Sequence, residues 1–320
     1  MNRAARWVLT LGMAASVPLL ALAQGQPVSS AGATSAAAIV FDPPGTAKRY
    51  ASQHETEPYL RAHFVRDLQY GPAARNLLDV AMPHATGGAA RPVIVFVPGG
   101  PGNRKEVEGY LFYDNVLLWA VDQGYVGVNM SRESGQGVSW DTGAKNIAAV
   151  IGWVQANIKK YGGDPARIVV WGHSLGAGAL AIYLSHPEYY PVSGIGLSGA
   201  ILHSGSYNIA PIKAMQPGRG GGAGQAAPDA ALLLAQSSLP GLQKLSVPLL
   251  LAAADGDPLD RPEYVTLIHD ALCKSSACPT TLLAKGHDHF SEIFSVNTSD
   301  QSVSRPVQEW LRTVFPVKAK

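Results

Sequence analysis

At the centre of the chain stands Ile168-Val169-Val170-Trp171-Gly172-His173-Ser174-Leu175-Gly176, an apolar run followed by Gly-x-Ser-x-Gly and then by an alanine-rich segment. The apolar run predicts a buried strand and residues 175–185 predict a helix. A serine between the two sits on a sharp strand-to-helix turn, the arrangement that exposes a nucleophilic hydroxyl at the edge of a sheet. Such a turn strains the serine backbone, and strand and helix approach too closely for side chains at the flanking positions, which explains Gly172 and Gly176. The N–H of Leu175 opens the helix and is aimed where an oxyanion would form during acyl transfer.

Short apolar runs and helical segments alternate on both sides of this turn. Strands are expected over residues 63–69, 76–82, 92–97, 126–130, 167–171, 195–202, 247–253 and 280–283. Helices are expected over 107–123, 144–160, 175–185, 262–272 and 306–314, with Ile147, Val150, Ile151 and Val154 on one face of the second. Most strand runs are continuously apolar, as strands covered on both faces are. The expected class is therefore α/β, with a mostly parallel central sheet and helices on both faces. Residues 204–241, centred on Pro217-Gly218-Arg219-Gly220-Gly221-Gly222, break the alternation. They read as a Gly-rich insertion within a single domain spanning 46–320.

Acyl chemistry needs a second oxyanion donor, an acid and a histidine; with the serine on a strand-to-helix turn of this kind, the donor loop precedes it and the acid and then the histidine follow it along the chain. The loop Val97-Pro98-Gly99-Gly100-Pro101-Gly102 follows an apolar run, and its glycines let backbone N–H groups reach a ligand. Pro101 has no N–H to give, so Gly100 is the preferred donor and Gly99 the next. The run 247–253 ends in Ala254-Asp255-Gly256-Asp257-Pro258, and a later one in Lys285-Gly286-His287-Asp288-His289-Phe290. Both fall just past strand ends, where open parallel sheets bind ligands. Asp257 is preferred to Asp255 as the acid, and His289 to His287 as the base, with the other member of each pair read as a turn residue. His173, His203 and the remaining histidines read as surface or core residues. No third ligand accompanies His287 and His289, so no metal is expected.

These segments resemble the α/β-hydrolase superfamily from about His63 to Val314. Leu78-Asp79-Val80-Ala81-Met82-Pro83 is similar to the second-strand segment of its esterase branch. Tyr161-Gly162-Gly163-Asp164-Pro165-Ala166-Arg167-Ile168, leading into Gly172-His173-Ser174-Leu175-Gly176, resembles carboxylesterase-like and feruloyl/acetyl-xylan-esterase-like members. His287-Asp288-His289-Phe290 looks like their catalytic-histidine loop, and its Asp-His-Phe is also similar to kynurenine formamidases. The resemblance implies an ester hydrolase with Ser174, Asp257 and His289 as its triad, and no metal or organic cofactor. The same residues would serve an amidase, formamidase or peptidase, and a non-catalytic binding protein on the same fold is a further class. The sequence departs from these branches at Pro98, where they carry the histidine of His-Gly-Gly-x. Gly-Gly-Pro-Gly is similar to the proline iminopeptidases, whose nucleophile motif differs from Gly-His-Ser-Leu-Gly.

Charged residues are 15% of the 320, and hydrophobic ones 47%, enough for a sizeable core and too few charges for a disordered chain. Met1–Arg6 is basic, 7–22 is mostly apolar, and Ala21-Leu22-Ala23 is a small-x-small site, so residues 1–23 read as an export signal. Pro18 and the shortness of the run argue against a membrane span, and residues 24–45 read as flexible linker. Without Arg3 and Arg6 the chain has 23 basic and 23 acidic residues, which removes the basic stripe that nucleic-acid binding requires. Export permits a disulfide, and Cys273 and Cys278, the two cysteines, close a loop whose cross-link contributes about 2 kcal/mol in the chain-entropy account. The expected partner is a small ester; oligomeric state leaves no trace in the sequence.

Overall fold

The computed structural model describes residues 42–84, 88–100, 102, 113–135, 137–214, 229–257, 259–275 and 278–316. The expected signal, residues 24–41 of the expected linker and residues 215–228 of the expected insertion lie outside them.

Eight strands form one sheet: β1 (Ala62–Gln69), β2 (Leu77–Pro83), β3 (Arg91–Val97), β4 (Val126–Met130), β5 (Gly163–His173), β6 (Gly199–His203), β7 (Leu249–Ala254) and β8 (Thr280–Ala284). Their order is β1-β2-β4-β3-β5-β6-β7-β8. β2 pairs antiparallel with β1 and β4, and every pairing from β4 across to β8 is parallel. The helices are α1 (Pro43–Ala51), α2 (Asp114–Asp122), α3 (Thr142–Asn157), α4 (Leu175–Ser185), α5 (Ala230–Ala235), α6 (Leu239–Leu242), α7 (Arg261–Cys273), α8 (Ser291–Phe294) and α9 (Ser304–Val314). None of them is long and apolar enough to cross a membrane.

Alternation of side chains along each strand divides the core in two. Val93, Val95, Val97, Ile168, Val170, Leu202 and Leu251 pack with Ile147, Ile151 and Val154 of α3, Leu180 and Leu184 of α4, and Ile268 of α7. Ile94, Phe96, Val169, Trp171, Ile201 and Leu250 turn to the other face and meet Leu117 and Trp119 of α2, Phe294 of α8, and Trp310 and Leu311 of α9. Continuous apolar runs are therefore what a sheet with two covered faces requires.

Three expectations change at their edges. The strand expected from 195 begins at Gly199, because Gly194 and Gly196 take φ of 97° and 71° and turn the chain, while Ile195 and Leu197 pack into the core from a loop. The linker expected to reach residue 45 gives way to α1 at Pro43. Asp42 caps that helix, accepting the Gly45 N–H at 3.0 Å, and Pro43 has the φ that a first helical turn needs. α1 carries no apolar periodicity to announce it. Of the helix expected over 107–123, residues 107–112 lie outside the described residues. Cys273 and Cys278 are joined by a disulfide at the end of α7.

Charge is also buried, between β1, β2 and α2. Arg66 donates to Asp79 Oδ2 at 3.0 Å, to Asp114 Oδ2 at 2.6 Å and to Glu57. The Asp79 side chain is wholly buried and that of Asp114 nearly so. Removing the half-buried cation strands the buried anions left behind, so Arg66→Ala is expected to lower the unfolding free energy by about 3 kcal/mol in urea titrations.

Candidate active site

Ser174 occupies the turn between β5 and α4 with φ 55° and ψ −122°, a conformation that L-residues adopt only under constraint. The constraint comes from its neighbours. A Cβ on Gly176 would lie 2.1 Å from the Val97 carbonyl oxygen, and one on Gly172 2.7 Å from Ala177 Cα. Strand, helix and the end of β3 thus meet at van der Waals contact, as the two glycines foretold.

His289 Nε2 lies 2.9 Å from Ser174 Oγ, and His289 Nδ1 lies 2.6 Å from Asp257 Oδ2. All three side chains stand at the carboxyl ends of parallel strands: Ser174 after β5, Asp257 after β7 and His289 after β8. A carboxylate only accepts, so the imidazole proton belongs on Nδ1 and Nε2 is free to accept from the serine hydroxyl. Asp257 is oriented in turn by the Leu259 N–H, donated to its Oδ1 at 2.9 Å. The alternative members of the two pairs are occupied elsewhere. Asp255 is exposed and accepts the Gly286 N–H at 2.8 Å. His287 is held between Ser291 Oγ at 3.1 Å and Ser302 Oγ at 2.6 Å.

The loop after β3 lies against the serine: a Cβ on Gly99 would sit 2.7 Å from Ser174 Cβ. Arg132, just beyond β4, organises this loop from behind. Its side chain donates to the Gly100 carbonyl at 2.6 Å and to the Pro98 carbonyl at 3.4 Å, and its backbone N–H to the Gly102 carbonyl at 3.2 Å. Gly102 N–H binds the Gly99 carbonyl at 3.0 Å. In a trans peptide the N–H opposes the preceding carbonyl, so this bond turns the Gly100 N–H outward from the loop. Burial pushes the Tyr113 phenol up, and Arg132 and the Gly99 backbone partly offset the push. Burial also lowers the Arg132 guanidinium, to about 10. Of the expected donors, Leu175 opens α4 directly after Ser174, Gly99 lies against Ser174 and the Gly100 N–H is turned out of the loop.

Beneath the serine lies a buried polar cluster that sequence reasoning did not single out. Glu292, fully buried in α8, accepts from His173 Nε2 at 3.2 Å and from His203 Nε2 at 3.0 Å. Among the described residues, two groups bring together side chains of metal-ligating type: His173, His289 and Glu292, and His269 with Cys273 and Cys278. In the first group His289 Nδ1 is committed to Asp257 and His173 Nε2 to Glu292, and in the second the sulfurs are bonded to each other.

Comparison with known proteins bears on the fold and on the first half of the domain. The BD-FAE family model matches residues 78–186, from β2 to the end of α4. Esterase LipQ of Mycobacterium tuberculosis is 32% identical over 143 residues, which make up 43% of this chain and 30% of LipQ. The Fumonisin B1 esterase of Sphingopyxis macrogoltabida is 34% identical over 125 residues, 34% of this chain and 23% of that one. The chain thus spans less than a third of these curated relatives. Among solved structures, esterase B of Lactobacillus rhamnosis superposes with a TM-score of 0.63 at 17% identity, over 85% of this chain and 91% of its own. The chain has the α/β-hydrolase fold.

The family match ends near His186, so Asp257, His289 and Glu292 lie in the part of the chain that the family model does not reach. Glu292 carries one faint sequence signal, its place three residues after His289 in an otherwise apolar stretch; Arg132 carries one as the first charged residue after a buried strand. The His173 ring is pushed down by burial to about 4. An unfolded chain binds a proton at this ring below its ordinary value of 6.5, and the folded chain does not until about 4, so stability falls as pH drops through that window. The thermal midpoint of the protein is expected to decline from about pH 7 to pH 4. His173→Asn keeps an N–H donor without titrating, and calorimetry should show a flatter decline in that variant.

Proposed function

We propose that the chain is an exported serine hydrolase of carboxylic esters. The observation that carries this reading is the Asp257–His289–Ser174 relay, with spacings of 2.6 and 2.9 Å at the carboxyl edge of the sheet. In the proposed reaction Ser174 Oγ attacks the ester carbonyl while His289 Nε2 takes its proton. Asp257 holds the imidazole in the required tautomer and stabilises its cation. Collapse of the tetrahedral intermediate releases the alcohol, which receives the proton from His289, and leaves the acyl group on Ser174. Water then attacks through the same histidine, releasing the acid and restoring the serine.

The N–H groups of Leu175 and Gly100 are the proposed oxyanion donors. A preorganised donor acts without rearrangement at the moment of reaction, and Arg132 supplies that preorganisation by tying down the carbonyls of Pro98, Gly100 and Gly102. Arg132 thereby takes over loop-ordering where related sequences place a histidine and this chain has Pro98. The esterase names of LipQ and the Fumonisin B1 esterase favour esters over other acyl substrates. Export rests on the basic and apolar character of residues 1–23.

Treatment with a fluorophosphonate probe and with p-nitrophenyl esters tests the mechanism. The wild-type chain is expected to label and turn over, and Ser174→Ala to lose labelling together with at least about 10⁴-fold in kcat. A Ser174→Ala chain that keeps most of its turnover would eliminate the mechanism, and preference for matched amides would redirect it to an amidase. N-terminal sequencing of the protein recovered from its native host is expected to begin at Gln24; an intact Met1 would contradict export by signal cleavage.

A further inference from the structure

His289 is faced by several titratable groups. Asp257 comes from the loop after β7, His173 from the end of β5, and Glu292 from α8, with His203 at the end of β6 directly behind Glu292. Glu292 Oε1 lies 4.0 Å from His289 Nδ1, the same nitrogen that Asp257 engages. Tyr207, a neutral phenol that burial pushes up, is the further group whose charge would sense Glu292.

The protons of this cluster are dictated by its donors. Trp171 Nε1 donates to His203 Nδ1 at 3.2 Å, and an indole N–H can only donate. His203 therefore keeps its proton on Nε2, facing Glu292 Oε2 at 3.0 Å. His173 Nε2 faces both Glu292 Oε1 at 3.2 Å and the His289 carbonyl at 3.1 Å, two acceptors, so its proton is on that nitrogen. Its Nδ1 is buried without a partner against Gly99. A proton there would be buried and unsolvated, so the ring is neutral. Two neutral imidazoles thus each donate one N–H to a carboxyl with no exposure. Each oxygen of that carboxyl faces an imidazole N–H, which leaves no acceptor for an acid proton on either, so the group is a carboxylate; burial alone would raise it, and the His203 and His173 rings hold it well below the usual range. The cluster as a whole carries one negative charge.

We propose that Glu292 is a second anion of the relay, which shares with Asp257 the stabilisation of the charge that His289 takes up and never touches substrate. It is a positioning residue acting through His289. Its two donors fix it in place, and burial leaves little water to screen it. The serine-hydrolase reading gives this anion its effect on turnover; its effect on the His289 ring stands apart from that reading.

Ring-¹⁵N NMR of the histidine-labelled chain across pH measures the ring directly, whether or not the protein turns over substrate. Glu292→Gln removes the charge and keeps the shape, so the His289 midpoint is expected to fall by about one pH unit. The acid limb of kcat/KM should move to lower pH with it. Glu292→Asp keeps the charge and should hold the midpoint within about 0.3 unit of wild type. A Glu292→Gln chain with a lowered melting temperature and an unmoved His289 midpoint would overturn the proposal and leave Glu292 a purely structural clamp. Should neither variant fold, ¹³C-carboxyl NMR of the glutamate-labelled wild type decides. Glu292 is expected to read as carboxylate down to about pH 4, and a protonated carboxyl at pH 6 would overturn the proposal. Failure of the fluorophosphonate probe on the wild type would sink the hydrolase reading alone, with the ring titration still deciding the charge.

Discussion

Contact between backbone and backbone at the β3–β5–α4 junction governs the rest of this molecule. Gly176 presses on the carbonyl of Val97, and Gly172 on the first turn of α4, with no room for a methyl group at either place. That contact holds Ser174 at φ 55°, a conformation costing about 1–3 kcal/mol. Nothing local compensates such a cost. The compensation lies in the two apolar layers on either side of the sheet, where Val95, Val97 and Val170 on one face and Phe96, Val169 and Trp171 on the other lock β3 and β5 side by side.

The segment bearing His289 is held with comparable firmness, by elements far apart in sequence. Thr46 of α1 donates to Asp288 Oδ2 at 3.1 Å, and Asn115 of α2 donates to the carbonyls of Ile293 and Val296 at 2.8 and 2.9 Å. His173 and His203 reach Glu292 from the ends of β5 and β6. A histidine that must accept a proton from one neighbour and present another to a carboxylate tolerates little misplacement. Four independent anchors supply that precision, and each is a polar group whose own burial requires the partner it finds here.

Charge is handled differently in the two buried networks. Around Arg66 a full cation stands among the carboxylates of Asp79, Asp114 and Glu57, and the network ties the antiparallel edge of the sheet to α2. Around Glu292 the donors are neutral, so an anion remains close to a group proposed to become cationic during the reaction. An isolated buried carboxylate would be prohibitively costly; two imidazole N–H groups make it tolerable while leaving its field available.

How much of this was legible in the sequence follows from how local each feature is. Continuous apolar runs announce strands covered on two faces, and Gly-His-Ser-Leu-Gly between a strand and a helix announces the turn, because both depend on contacts within a few residues. α1 went unread because its helix is polar and its stability comes from the Asp42 cap and from Thr46 and Tyr50 buried against the body of the domain. Strand ends near 195 were misjudged because apolar residues there fill the core from a loop. Asp257 over Asp255, and His289 over His287, were preferences that no local rule separates; within each pair the residues are two apart and chemically alike. Only the folded sheet decides, by bringing one of each within 3 Å of its partner and giving the other to Gly286 or to Ser291 and Ser302. The sequence by itself determined the alternation of elements and the place of the strained serine, through forces that act along the chain. Tertiary structure determined which acid, which histidine and which buried anion surround that serine, because those contacts join residues more than thirty positions apart, or, for Glu292, run through two imidazoles that the chain carries 89 and 119 residues away.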